Sequence, residues 1–352
     1  MIFNIPSELN MHHLIVLFLK RTSREFRFMG GLSVLLLLIA PLSAFAQTCS
    51  CAGAPLISAQ SLGIPEKGNL IIGVTANYNK IDKLYSGTDE LVNRTSERNT
   101  FTSLLEINYG LTERISVTGA FTFVRKERTT GLQTQGGSQT LQTSGIGDAI
   151  ILLKYSLIRQ TLWKPYQLVI GGGGKAPLGS NSLRSEGLAL NADMQPGTGS
   201  WDGIGWMLFS YTLRSQNIHL FTMNSYKVNS SAERFGSNDN YEFGNELNSI
   251  IGIQGPALKN FSYGLKLKYR ASGQDLRNNF EMPSTGGEWL NFELGLTYPI
   301  SDRLSIQASG EVPLFREVEG TQPTTGYILS TSLFFSLNKL KSGFNIGMPL
   351  NN

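Results

Sequence analysis

Few residues in this chain could do chemistry. Of its three histidines, only His219 lies outside the first forty-six residues. A serine nucleophile needs a base beside it and a third group to orient that base, and no nucleophile-elbow pattern accompanies the serines here. His219 stands near the start of an apolar segment, beside a short turn, where a surface role is expected. Gly171-Gly172-Gly173-Gly174 has the composition of a phosphate loop but lacks the Lys-Ser/Thr pair and the helix that would follow. Backbone packing explains it better. Asp148 and Glu242 are far apart in sequence and unsupported as an acid/base pair. Cys49 and Cys51, the only cysteines, offer two soft ligands with no third nearby, and a bridge between them would be strained. Thr48 and Ala46 fit lipoprotein acylation poorly. The expectation is a non-enzyme with no catalytic residue, no metal and no cofactor.

What remains is charge at strand-like spacing. Lys266, Lys268 and Arg270 alternate with Leu265, Leu267 and Tyr269, and a period of two puts the two sets on opposite faces of a β-strand. The preceding segment carries Glu242, Glu246 and Asn248 in the matching phase, and opposite charges facing each other across strands are stabilising. Glu106, Lys154, Asn291, Glu293, Gln307 and Glu311 hold the same phase elsewhere. All these polar residues need an interior that is not an apolar core.

A transmembrane β-barrel supplies one. The alternation predicts about twelve strands: 68–78, 101–109, 115–123, 146–157, 166–175, 203–213, 218–228, 241–254, 261–270, 289–298, 304–312 and 327–337. An even number is what single-chain bacterial barrels show. Tyr109, Tyr155, Tyr211 and Tyr298 close segments before short turns, whereas Tyr78, Phe123, Tyr226 and Tyr269 close segments before long polar loops. Two aromatic rows at headgroup level are the girdles of an outer-membrane barrel, with short periplasmic turns and longer extracellular loops. The long links are expected at 81–99, 127–143, 178–201, 229–240, 272–287 and 314–326. A soluble β-sandwich would not sort its loops by length so consistently. Lipid then covers the girdle phase, and the charges of the opposite phase face the lumen.

The bulk numbers agree. The chain has 352 residues, 41% hydrophobic and 16% charged, and its mean hydropathy is −0.08, because a barrel hides apolar content by alternation. The net charge of +4 is scattered, which argues against a nucleic-acid partner. Lys20, Arg21, Arg24 and Arg27 precede an apolar stretch at 32–39, and Ala44-Phe45-Ala46 offers small residues for signal-peptidase cleavage after Ala46. The expected organisation is a signal peptide at 1–46, a periplasmic N-terminal segment at 47–67, the barrel at 68–337 and a tail at 338–352. The mature chain is expected in the outer membrane as a monomer, in contact with lipid.

Several local patterns, in order, resemble one family: the outer-membrane channel-like proteins of the "MetA-pathway of phenol degradation" type. They are Ser144-Gly145-Ile146-Gly147-Asp148 running into Leu153-Lys154-Tyr155, and Gly172-Gly173-Gly174-Lys175-Ala176-Pro177-Leu178-Gly179. Most distinctive is Gln195-Pro196-Gly197-Thr198-Gly199-Ser200-Trp201-Asp202, followed by Tyr241-Glu242-Phe243-Gly244-Asn245-Glu246 and Thr285-Gly286-Gly287. The resemblance spans nearly the whole barrel. It implies a transporter-like barrel, linked in some members to aromatic or hydrophobic compounds, with no catalytic residues. Lys175, Pro177, Gly197, Gly199, Trp201 and Asp202 flank the third long loop, where glycines would shape a strand exit and Trp201 would anchor at the outer girdle.

The functional expectation is passive passage of small solutes. The alternative is a non-conducting barrel that binds a partner or surface ligand through its loops. The lumen charges likewise have two readings, a polar pathway or a self-neutralising network.

Overall fold

The computed structural model describes residues 63–93, 96–131, 137–236, 239–258 and 260–338. The expected signal peptide, Cys49, Cys51 and nearly all of the expected tail lie outside the described residues. Eleven long strands form one antiparallel sheet: β1 (Leu70–Gly87), β2 (Ser96–Gly110), β3 (Ile115–Thr130), β4 (Gln139–Ile158), β5 (Tyr166–Ala176), β6 (Asp202–Leu213), β7 (Ile218–Val228), β8 (Glu246–Pro256), β9 (Ser262–Ser272), β10 (Gly287–Pro299) and β11 (Leu304–Ser336). Each pairs with its neighbours in chain order, and β11 pairs with β1, so the sheet closes and has no free edge. A three-residue strand, Asp89–Leu91, bonds to β1 outside this ring.

Strand β11 crosses the wall twice. Its first half pairs with β10 (Ser305 opposite Pro299) and its second half with β1 (Ser336 opposite Ile71). The amide of Ser336 donates to the carbonyl of Arg303 at 2.8 Å, so both ends lie at the same rim, and Gly320 takes a left-handed φ of +67° at the bend. The wall therefore has twelve crossings.

The outward rows are apolar and exposed, as lipid requires. Tyr109, Tyr155, Tyr211 and Tyr298 are each about two-fifths exposed near the short-turn rim, and Phe123 and Tyr226 are exposed near the other. Beyond the outer girdle the strands do not stop. The β1–β2 ladder runs on to Ile81 opposite Arg98, and β3–β4 to Thr130 opposite Gln139. Much of the expected loops 81–99 and 127–143 is therefore extended ladder. Polar residues on both faces there leave no hydrophobic period to read, yet ladder hydrogen bonds need none.

Glu242 is a correction. It lies in a short loop strand, Asp239–Glu242, opposite Ser231 and Leu276, and not on a barrel strand. Phe243, Gly244 and Asn245 interrupt the ladder, and β8 begins at Glu246. The run 241–254 alternates evenly across this break, so its sequence hides it.

Candidate functional site

The interior wall has two unlike halves. From β8 to β11 it carries an ion-pair ladder. Lys266 Nζ lies 2.7 Å from Glu293, and Lys268 Nζ bridges Glu293 at 3.3 Å and Glu311 at 2.5 Å. Arg270 meets Glu246 at 2.8 Å. Asn248 donates to Glu246 and Asn291 to Glu311. Most of the β9 cations thus turn to β10 and β11, and only Arg270 turns to β8. Glu293 and Glu311 sit directly opposite each other in the ladder. Like charges so placed repel, and Lys268 between them removes the conflict.

From β2 to β8 the interior has an apolar centre, with polar side chains such as Thr102, Thr118, Gln167 and Ser210 buried around it. Leu104, Ala120, Ile150, Leu152, Val169, Ile204, Trp206, Leu208, Phe221, Met223 and Ile250 form one buried cluster that also includes Ile64, just ahead of β1. The charge spacing in the sequence does not point to this half-wall. The signal was present in β6, where Ile204, Trp206 and Leu208 are as apolar as Met207, Phe209 and Tyr211 on the other face. Lipid covers only one of those faces. Within this half, Glu106 accepts from Asn108 at 2.8 Å, and Lys154 is fully buried over the Trp206 ring, 4.6 Å from its centroid. His219 is half-buried at the short-turn rim, its Nδ1 2.9 Å from Thr212 Oγ1.

The three glycine-rich motifs converge at the extracellular end. Asp148 accepts from the amides of Gly179 (3.1 Å) and Thr198 (2.9 Å), and from the Thr198 hydroxyl. Lys175 Nζ joins Asp148 at 3.1 Å to Asp202 at 2.5 Å and also donates to Thr198. Ser200 donates to Asp202 at 2.9 Å. A Cβ on Gly179 would sit 2.6 Å from the Cα of Gly197, so only two glycines can cross there. Gly199 holds φ +74° against Asn181 and Ala232. Pro177 is half-buried in this exit turn, while Trp201 is 70% exposed.

The loop between β5 and β6 consequently folds back onto the inner wall. Its 3-10 turn, Ala192–Met194, is buried. Asp193 binds Arg98 at 2.5 Å and Arg128 at 3.1 Å. Lys126 Nζ donates to the carbonyls of Asp193 and Gln195, each at 2.8 Å, and Thr143 to that of Met194. On its far side Ala192 packs with Ala232, Phe235, Tyr241 and Phe243. Ala232, Phe235 and Tyr241 belong to a four-stranded cap of Ser231–Phe235, Asp239–Glu242, Leu276–Arg277 and Phe280–Glu281, and Phe243 follows its second strand. Asp275 supports the cap by accepting from Tyr241 Oη (2.6 Å) and the Gly244 amide (2.9 Å); burial pushes its carboxyl pKa up. Because Asp193 ties the loop to two cationic side chains, Asp193→Ala is expected to free it. Limited proteolysis should then cut faster between Leu178 and Trp201, and single-channel conductance should rise. Unchanged conductance with faster cutting would mean that this loop does not narrow the path.

No protein-family model matches the chain, and no curated protein sequence is significantly similar to it. Its fold does have solved counterparts. The COG4313 outer membrane channel from Pseudomonas putida F1 superposes with a TM-score of 0.64 at 15% identity, covering 79% of this chain and 98% of that one. The chain has the fold of an outer-membrane β-barrel. A Pseudomonas aeruginosa FadL homologue matches more loosely, with a TM-score of 0.43 at 10% identity over 76% of this chain and 90% of that one. In the barrel, then, lipid covers the girdle phase, while the apolar half-wall, the ion-pair ladder and the cap together define the interior.

Proposed function

We propose that the barrel passes small apolar or aromatic solutes passively across the outer membrane, acting as a single chain. The observation that carries this reading is the apolar half-wall of β2–β8, from Leu104 to Ile250, set opposite a ladder whose charges neutralise one another. These side chains are closed to solvent and packed on one another, an environment that suits a solute that gains by leaving water. Paired charges on the other side present little net field to select ions.

The test is uptake of N-phenylnaphthylamine, an aromatic probe that lipopolysaccharide excludes, by cells carrying the barrel. The expected result is a severalfold faster entry than in cells without it, with no gain for a disaccharide. Equal entry rates with the folded barrel present in the membrane would refute the proposal. A second reading rests on the exposed apolar side chains of the extracellular loops, Leu178, Leu188, Trp201 and Phe280, which would let the loops hold a surface ligand. That reading predicts ligand binding with no gain in uptake.

A further inference from the structure

Lys154 is the unexplained charge of the interior. It is fully buried, and its Nζ has no hydrogen-bond partner. The neighbouring Trp206 is also buried, and its Nε1 is likewise without an acceptor. The two face each other by construction. Lys154, Gly171 and Trp206 stand in one row across β4, β5 and β6, and the missing side chain at Gly171 lets the lysine lie over the indole, 4.6 Å from the ring centroid. A Cβ at Gly171 would come within 3.3 Å of both Lys154 Cγ and Trp206 Cε3. Glu106 acts on Lys154 electrostatically without a hydrogen bond between them, and its carboxylate already accepts from Asn108.

Burying an ammonium and an indole N–H with no acceptor is expensive. Two donors side by side within an apolar wall form half of a recognition site. We propose that the Lys154–Trp206 pair binds the carboxylate of a monocarboxylate with an aromatic or alkyl body. One oxygen accepts from Lys154 Nζ, the other from Trp206 Nε1, and the body lies against Leu152, Val169 and Leu208. Nearby Glu106 disfavours dianions, which sets the charge at one. The pair is shut off from solvent, and Trp206 shares its cluster with Ile64, so the ligand replaces packing atoms and not only water. The inference rests on the passage reading above and narrows it from apolar solutes to apolar acids.

The test is calorimetric titration of the detergent-purified full chain with benzoate and with benzamide, its uncharged analogue. Benzoate is expected to bind once per barrel and at least tenfold more tightly than benzamide. Lys154→Met should reduce benzoate affinity at least tenfold and leave benzamide unchanged. That variant should still fold, because Lys154 Nζ makes no hydrogen bond whose loss would leave an acceptor unsatisfied. Gly171→Ala keeps the charge but wedges the pair apart, and should weaken benzoate severalfold. Benzoate binding that is absent, or is unaltered in folded Lys154→Met, overturns the inference. If N-phenylnaphthylamine uptake persists in that case, the passage reading survives. If uptake fails as well, both fall.

Discussion

Lys268→Met is expected to destabilise the barrel by about 3–5 kcal/mol, the cost of removing one partner from a buried ion network. The lysine bridges two carboxylates that the β10–β11 register places face to face. Glu293 keeps Lys266 at 2.7 Å, but Glu311 loses its only ion pair among the described residues and is left opposed to Glu293. The measurement is equilibrium urea unfolding of the protein folded into lipid vesicles. Adding Glu311→Gln to the same chain removes the like-charge contact and should recover most of the loss, because residues in one network are not additive. If the single variant unfolds at the parent's midpoint, the ladder is not what holds this side of the wall. The network reading of the lumen charges would then lose its support.

Ile151→Arg tests the outer surface in the same way. Ile151 points outward from β4 and is 57% exposed, with Gly119 and Gly174 as its cross-strand neighbours. Arginine therefore meets no steric barrier, and its cost is that of placing a charge in hydrocarbon. Near the midplane that cost is about 2–4 kcal/mol. Gln139→Arg, at the exposed extracellular end of the same strand, should change stability by no more than about 0.5 kcal/mol. The native chain already shows this contrast, since Arg125 is exposed on the outward face two residues beyond the girdle residue Phe123. Equal effects at positions 139 and 151 would mean that lipid does not cover the wall at Ile151.

These two substitutions divide what was legible in the sequence from what was not. The outward rows could be read from the chain alone because lipid acts on each position separately. Every second residue from Leu70 to Tyr78 is apolar, as is every second residue from Phe101 to Tyr109 except Ser103, whatever the rest of the molecule does. Strand number, turn asymmetry and the inward phase of Glu106, Lys154, Glu246, Lys266 and Lys268 follow from that one constraint. The interior is set by neighbours that sequence order does not name. Whether Lys268 turns toward β8 or toward β10 and β11 depends on registers that exist only once the sheet has closed.

The same holds for the extracellular end. Asp148, Lys175, Gly179, Gly197 and Asp202 are recognisable as separate motifs, but the carboxylate that joins them acts across the interval from β4 to β6. Glu242 could be placed in a barrel strand because a period of two does not distinguish a wall strand from a loop strand. Lys154 was legible as an inward charge, but its lack of a partner was not. That depends on Gly171 standing between it and Trp206. Lipid thus wrote the outside of the barrel into the sequence residue by residue, whereas only closure of the sheet decided what meets inside it.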